Sequence, residues 1–124
     1  MTYNLKWEKA GLVIEFGGTL TSLDLINSNS EFIGDGRIDK VKYIISDLSN
    51  VDEIDIDYTD IEISKDFAVR SNRINPAAKV AIVASQPVLT GLVEGYISAV
   101  QAEIPYARFR SFRQVQKARD WVAS

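Results

Sequence analysis

Val41-Lys42-Tyr43-Ile44-Ile45-Ser46-Asp47-Leu48-Ser49-Asn50-Val51 decides the architecture of this chain. From Val41 to Leu48 apolar residues fall on both faces of an extended backbone, the pattern of a central strand covered on each side. The strand ends in Asp-Leu-Ser, and an acidic run from Asp52 to Asp60 follows. Thr59-Asp60-Ile61-Glu62 then has the spacing of a capping box and predicts a helix start at Thr59. A strand end beside a helix N-terminus is where α/β proteins meet ligands and partners.

On the N-terminal side, Asn4 to Lys9 sets Leu5 and Trp7 against Asn4, Lys6 and Glu8. Leu12, Ile14 and Phe16 repeat the alternation after Ala10-Gly11, which predicts an antiparallel hairpin. Gly17-Gly18 is read as releasing the chain into Thr21-Ser22-Leu23-Asp24, a capping box for a weak helix with Leu23, Ile26 and Ile33 inward, ended by Gly34 and Gly36.

On the C-terminal side, the helix from Thr59 is expected to bury Ile63, Phe67 and Ile74 and to stop at Asn75-Pro76. Lys79 to Ser85 reads as a buried parallel strand, and Pro87 as the first residue of a helix running to Ala102. Tyr106 to Arg110 reads as a last strand, and Ser111-Phe112-Arg113-Gln114 as the cap of a closing helix with Val115, Ala118, Trp121 and Val122 inward. The order β-β-α-β-α-β-α-β-α implies one α/β domain over residues 1–124, with a mixed, mostly parallel five-stranded sheet and four helices. Its core should contain Trp7, Phe16, Ile45, Phe67, Ile82, Val83, Leu92, Val93, Phe109 and Trp121.

The 124 residues include no cysteine and no histidine. Thiolate chemistry, disulfides and soft-metal sites are thereby excluded, as is the usual general base of enzymes. Neither a metal nor a cofactor is expected. The start Met1-Thr2-Tyr3-Asn4-Leu5-Lys6-Trp7-Glu8 has no apolar leader segment, and no run approaches the length of a membrane span, so a cytoplasmic location is expected. Residues 1–66 hold fourteen acids and six bases, and residues 67–124 three acids and eight bases. The expectation is that the two halves interleave in one sheet and neutralise each other locally.

The order of elements, with Tyr43-Ile44-Ile45-Ser46-Asp47-Leu48-Ser49-Asn50-Val51 followed by Ile54-Asp55-Ile56-Asp57-Tyr58-Thr59-Asp60-Ile61, resembles the STAS domains of anti-sigma factor antagonists and sulfate transporter tails. Over nearly its full length the chain is similar to the SpoIIAA-like family of small bacterial proteins, down to Phe109-Arg110-Ser111-Phe112 and Ala118-Arg119-Asp120-Trp121-Val122. The resemblance implies a STAS-like fold and a role between two poles, a phospho-regulated protein-binding module and a binder of apolar ligands like the CRAL-TRIO lipid carriers. The family's phosphorylatable serine falls on Tyr58 or, with a slip of one, on Thr59, and Asp60 replaces the glycine of the pattern.

Two candidate sites result. The first is Asp47, Ser49, Asp57, Tyr58 and Thr59, as a partner-binding or phosphorylation site. Its surrounding acids lack the glycine and closing glutamate of a calcium loop and read as a solvated turn plus helix cap, with Thr59 as the capping residue. The second is the small-residue face Gly91, Gly95, Ser98 and Ala99 of the helix after Pro87, a surface for a ligand, a second protomer in a homodimer, or another helix of the same domain. Arg108 and Arg110 on the last strand, with Arg113, Lys117 and Arg119 on the helix after it, lack the aromatic interleaving and positive excess of a nucleic-acid surface, and the arginines on the sheet edge read as edge protection. The functional expectation is a non-catalytic regulatory module with a protein partner; the alternative is a carrier or sensor of a lipid or other apolar small molecule.

Overall fold

The computed structural model describes residues 3–124. Its elements are β1 (Tyr3–Trp7), β2 (Gly11–Thr21), α1 (Ser22–Ile33), a short 3₁₀ turn (Gly36–Asp39), β3 (Tyr43–Asp55), α2 (Tyr58–Ile74), β4 (Lys79–Val83), α3 (Pro87–Glu103), β5 (Phe109–Phe112) and α4 (Val115–Val122). The five strands lie in the order β1-β2-β3-β4-β5. β1 is antiparallel to β2, and every later pair is parallel, which is the mixed α/β sheet expected from the element order.

Each parallel step moves one strand in the same direction, so crossovers of uniform hand lay α1, α2 and α3 side by side on one face. That face holds the larger core, with Leu12, Ile14, Phe16, Ile44, Leu48, Ile82 and Phe109 beneath the helices. The opposite face carries Val13, Ile45, Ala81 and Val83 and is covered by α4 through Ala118, with Val115, Trp121 and Val122 around it. The double apolar pattern of Val41 to Leu48 thus has its expected cause, since Ile44 and Leu48 point one way and Ile45 the other.

Several expectations are corrected. Gly17-Gly18 does not end β2: the strand continues to Thr21 beside an extended β3, with register irregularities between Glu15 and Gly17 and between Gly18 and Thr19. Gly18 takes φ 68°, which a side chain would oppose. The first part of the acidic run, Asp52 to Asp55, is therefore strand and not loop. In α1 Ile33 packs against the core as expected, but Leu23 is 65 % exposed, and Leu25, Ser28 and Phe32 form the rest of the inward side. In α2 the inward residues are Ser64, Ala68, Val69, Ser71 and Asn72, while Phe67 is half-buried and Ile74 exposed.

β5 starts at Phe109 and leaves Tyr106 exposed, and Gln114 precedes α4 without a side-chain cap. Trp7, Phe67, Leu92 and Trp121 are half-buried; the other six expected core residues are buried. Trp7 lies on the edge strand and Trp121 in α4, and each ring takes a cation on its face, Arg37 at 4.2 Å and Lys79 at 5.4 Å.

Candidate functional site

β3 outruns its neighbour. Its pairing with β4 ends at Asp47↔Val83, but its pairing with β2 continues to Thr21↔Asp55, so a two-stranded ribbon projects beyond the sheet. The N-termini of α1, α2 and α3 open around this ribbon. Thr21 caps α1 by accepting from the Asp24 amide at 3.2 Å. The N-cap of α2 is Asp57: its carboxylate accepts from the Asp60 amide at 3.1 Å, and the Asp60 carboxylate accepts from the Asp57 amide at 2.9 Å.

Thr59, expected as the cap, is instead an exposed residue inside the first turn, and its hydroxyl has no hydrogen bond among the described residues. Aspartate caps as well as threonine does, and a Tyr58 start leaves the Tyr58 ring in solvent while Ile61 packs inward. Ser22 donates to Asp60 Oδ1 at 2.6 Å and joins the starts of α1 and α2. That hydroxyl is the main cause of a lowered Asp60 pKa, with the Asp57 amide next. The Gln86 amide group donates to the Val51 carbonyl, tying the start of α3 to the ribbon.

The five residues of the first candidate site form two separate groups. Asp47 alternates with Ile45 and so lies on the α4 face of β3, where its Oδ1 accepts from the Ser49 amide at 3.0 Å and the Ser49 hydroxyl at 2.5 Å. Asp57, Tyr58 and Thr59 open α2 on the other face. No hydrogen bond connects the two groups. Among the described residues, no three acidic side chains converge as metal ligands would.

What the carboxyl end does gather is an apolar triplet. Leu23, Tyr58 and Val88 each stand in the first turn of one of the three neighbouring helices and are 65, 79 and 70 % exposed. The same strand ends and helix starts carry Asp24, Asp52, Glu53, Asp55, Asp57, Asp60 and Glu62. No lysine or arginine occurs from 10 to 36, 43 to 64 or 80 to 107, the three intervals that contain these strand ends and helix starts. Bases stand instead at the amino ends of the parallel strands: Lys9 before β2, Lys42 before β3, Lys79 at the start of β4 and Arg108 before β5. The two halves of the chain neutralise each other in part, through Arg119 with Glu8 and Lys65 with Glu103, as expected, while the strand ends and helix starts in those three intervals keep their acids without a base of their own.

The second candidate site lies on α3. Gly91, Gly95 and Ser98 are exposed and Ala99 is half-buried; a Cβ built on either glycine would meet nothing within 4 Å. Among the described residues, nothing packs on Gly91 or Gly95, against the intramolecular reading of this face. The inner face of α3 instead supplies Leu89, Leu92, Val93 and Tyr96 to a cavity of about 100 Å³ between the helices and the sheet.

No family model matches this sequence, and no curated protein matches it. Solved structures do. Unphosphorylated SpoIIAA, an anti-sigma factor antagonist, superposes with a TM-score of 0.67 at 14 % identity, over 98 % of this chain and 96 % of its own. An anti-sigma factor antagonist from Mycobacterium paratuberculosis gives 0.67 at 13 % identity, over 99 % and 94 %. The phosphorylated form of the Bacillus cell-fate determinant SpoIIAA gives 0.60 at 14 % identity, over 97 % and 98 %. With five strands in sequential order, three helices on one face and one on the other, this chain has the SpoIIAA-like, STAS-like fold.

Proposed function

We propose that this chain is a non-catalytic regulatory module that binds a protein partner at the carboxyl end of its sheet. The observation that carries the proposal is the exposure of Leu23, Tyr58 and Val88 at three neighbouring helix starts, within stretches of chain that hold acids but no lysine or arginine. Large apolar side chains held in solvent are a cost unless a partner covers them, and aromatic residues at the centre of such a patch dominate binding energies. Those acids ask for a partner with basic residues around an apolar centre, since complementary charge steers encounter and orients docking.

The neighbours in the same fold support the reading by their names, which describe antagonists of anti-sigma factors. The absence of histidine and cysteine agrees with binding in place of catalysis. Thr59 is the residue through which binding would be regulated: released from capping, its hydroxyl is exposed in the first helical turn, where a phosphate would add charge in the middle of the patch.

The lipid-carrier alternative finds no comparable support. A cavity of about 100 Å³ lies well below the ~300–1,000 Å³ of sites that enclose drug-sized ligands. The test of the partner reading is affinity capture on the wild-type chain and on Tyr58→Asp, with Gly95→Ala as a control on the opposite flank of the helical layer. Proteins retained by wild type and Gly95→Ala but lost with Tyr58→Asp are the expected result; identical retention by all three refutes the assignment of the face.

A further inference from the structure

We infer that the open cleft at the amino end of the sheet binds a small organic dianion that carries hydroxyl groups, the chemistry of a sugar phosphate. The cleft has a volume of about 680 Å³ and is formed by the segments that lead into β3, β4 and β5, with the end of α4 along it. That volume lies within the ~300–1,000 Å³ of small-molecule sites.

Four cations line it, Lys40, Lys42, Lys79 and Arg108, against a single acid, Asp39. Lys79 is committed within the fold: it is buried, and its ammonium donates to the Trp121 carbonyl at 3.0 Å and to the Ser124 carbonyl and hydroxyl at 2.7 and 3.0 Å. The other three are exposed and reach no acidic side chain, since the ion pairs among the described residues use Lys6, Arg37, Lys65 and Arg119. The Lys40 and Lys42 ammonium groups make no hydrogen bond with a described residue, and Arg108 gives only Nη1, to the Ala77 carbonyl at 3.2 Å. Helix carboxyl ends also draw cations, and α2 and α4 both end here. Lys79 answers α4, and the Asn75 amide answers α2 by donating to the Ser71 carbonyl at 3.0 Å. Capping therefore does not account for Lys40 and Lys42.

Three free cations over one acid leave an excess of two positive charges before Lys79 is counted, and a cleft between low-dielectric walls focuses their field. A phosphate monoester carries up to two negative charges on one head group near neutral pH, which balances that excess. Arg108 keeps most of a planar fork that takes two phosphate oxygens at once. Asn75, in the same wall, gives its amide hydrogens to the Ile38 and Val41 carbonyls at 3.0 and 2.7 Å. Its Oδ1 receives no donor from the described residues and is not sealed from solvent, which leaves an acceptor for a hydroxyl of the ligand. Val41 and Val122 supply apolar surface for the carbon skeleton. The cleft lies at the opposite end of the sheet from the exposed triplet, so it stands or falls independently of partner binding.

The experiment is a titration of the isotopically labelled chain with glucose 6-phosphate, and separately with glucose and with inorganic phosphate, followed through backbone amide resonances. Glucose 6-phosphate should give saturable shifts centred on Lys40, Lys42, Asn75 and Arg108. Glucose and inorganic phosphate, each with half of the chemistry, should bind at least about tenfold more weakly. Joint replacement Lys40→Gln and Lys42→Gln should weaken glucose 6-phosphate by at least about tenfold, and both lysines are exposed, so the fold is kept. Arg113→Gln with Lys117→Gln removes the same charge outside the cleft and should leave the affinity within about twofold. Absence of saturable shifts at millimolar glucose 6-phosphate, shifts centred away from the cleft, inorganic phosphate binding as tightly, or equal losses in the two double variants would overturn the inference.

Discussion

The two ends of the sheet are built on opposite terms. At the amino end the backbone is tied repeatedly: Lys42 N–H donates to the Ala10 carbonyl at 2.7 Å, Lys79 N–H donates to the Lys42 carbonyl at 3.1 Å, and Asn75 donates to the Ile38 and Val41 carbonyls at 3.0 and 2.7 Å. Buried Lys79 closes α4 by donating to the Trp121 and Ser124 carbonyls, and Arg119 grips Glu8 at 2.7 and 2.9 Å, joining α4 to the first hairpin. Tyr43 donates to the same Glu8 and lies across Gly11, whose missing side chain gives the ring its place. At the carboxyl end fewer bonds join elements, Ser22 to Asp60 and Gln86 to Val51, the rest being helix caps and turns, while large apolar and acidic side chains point outward. One end carries stability, and the other, held by it, is free to present a surface.

The sharpest way to break this contrast is at Asn75. Asn75→Ala leaves two carbonyls at the amino end without donors and should cost about 2–3 kcal/mol in urea denaturation. A loss below about 0.5 kcal/mol would place the stitching elsewhere. Glu8 comes next. The Arg119 hydrogen bonds, outweighing the burial that opposes them and aided by Tyr43, hold its carboxyl at about 2, against 4.5 for the free group. A depressed carboxylate stabilises fully above about pH 4.5, and that contribution disappears as pH falls toward 2. Allowing for the partial exposure of the pair, Glu8→Gln should remove about 1–2 kcal/mol at pH 6 and flatten the acid limb of stability between pH 5 and 2.5. An unchanged slope would show that the pair is not coupled to folding.

At the carboxyl end the expected effects are smaller. Asp57→Ala should cost about 1 kcal/mol by deleting the α2 cap. On the open flank of α3, Gly91→Ala and Gly95→Ala should each raise stability by up to about 1 kcal/mol, because helix propensity improves and nothing is met. A destabilised Gly95→Ala would instead reveal a covered face. Thr59→Ala should change stability by less than about 0.5 kcal/mol, and a larger loss would return the cap to Thr59.

Part of the candidate site was legible and part was not. The acidic run after Leu48 pointed to the carboxyl end of the sheet, where the proposed face lies, because a helix start must follow a buried strand that ends in polar residues. Tyr58 was singled out through the family pattern, and its exposure agrees with a role at the surface. Leu23, however, reads as core, since Leu23, Ile26 and Ile33 satisfy a helical stripe as well as Leu25, Ser28 and Phe32 do. A serine on the buried side of a helix is invisible to an apolar pattern. The cap of α2 slipped by two residues for a similar reason: Asp57-Tyr58-Thr59-Asp60 and Thr59-Asp60-Ile61-Glu62 both have capping spacing, and only the packing of Ile61 and Ser64 against the sheet selects the first. The three base-free intervals were present in the sequence, but their meaning depends on knowing that each holds a strand end and a helix start.

By itself the sequence determined the element order, the central position of β3, the exclusion of histidine and cysteine chemistry, and the parallel crossovers, because hydrophobic period and turn residues are local properties of the chain. Tertiary structure alone decided which side of α1 and α2 is buried, that β2 and β3 run on together past Gly17 and Gly18, and that Leu23, Tyr58 and Val88 stand exposed at the starts of three neighbouring helices. Those features depend on residues distant in sequence competing for one sheet surface. Packing energy there exceeds the few tenths of a kcal/mol by which local propensities differ.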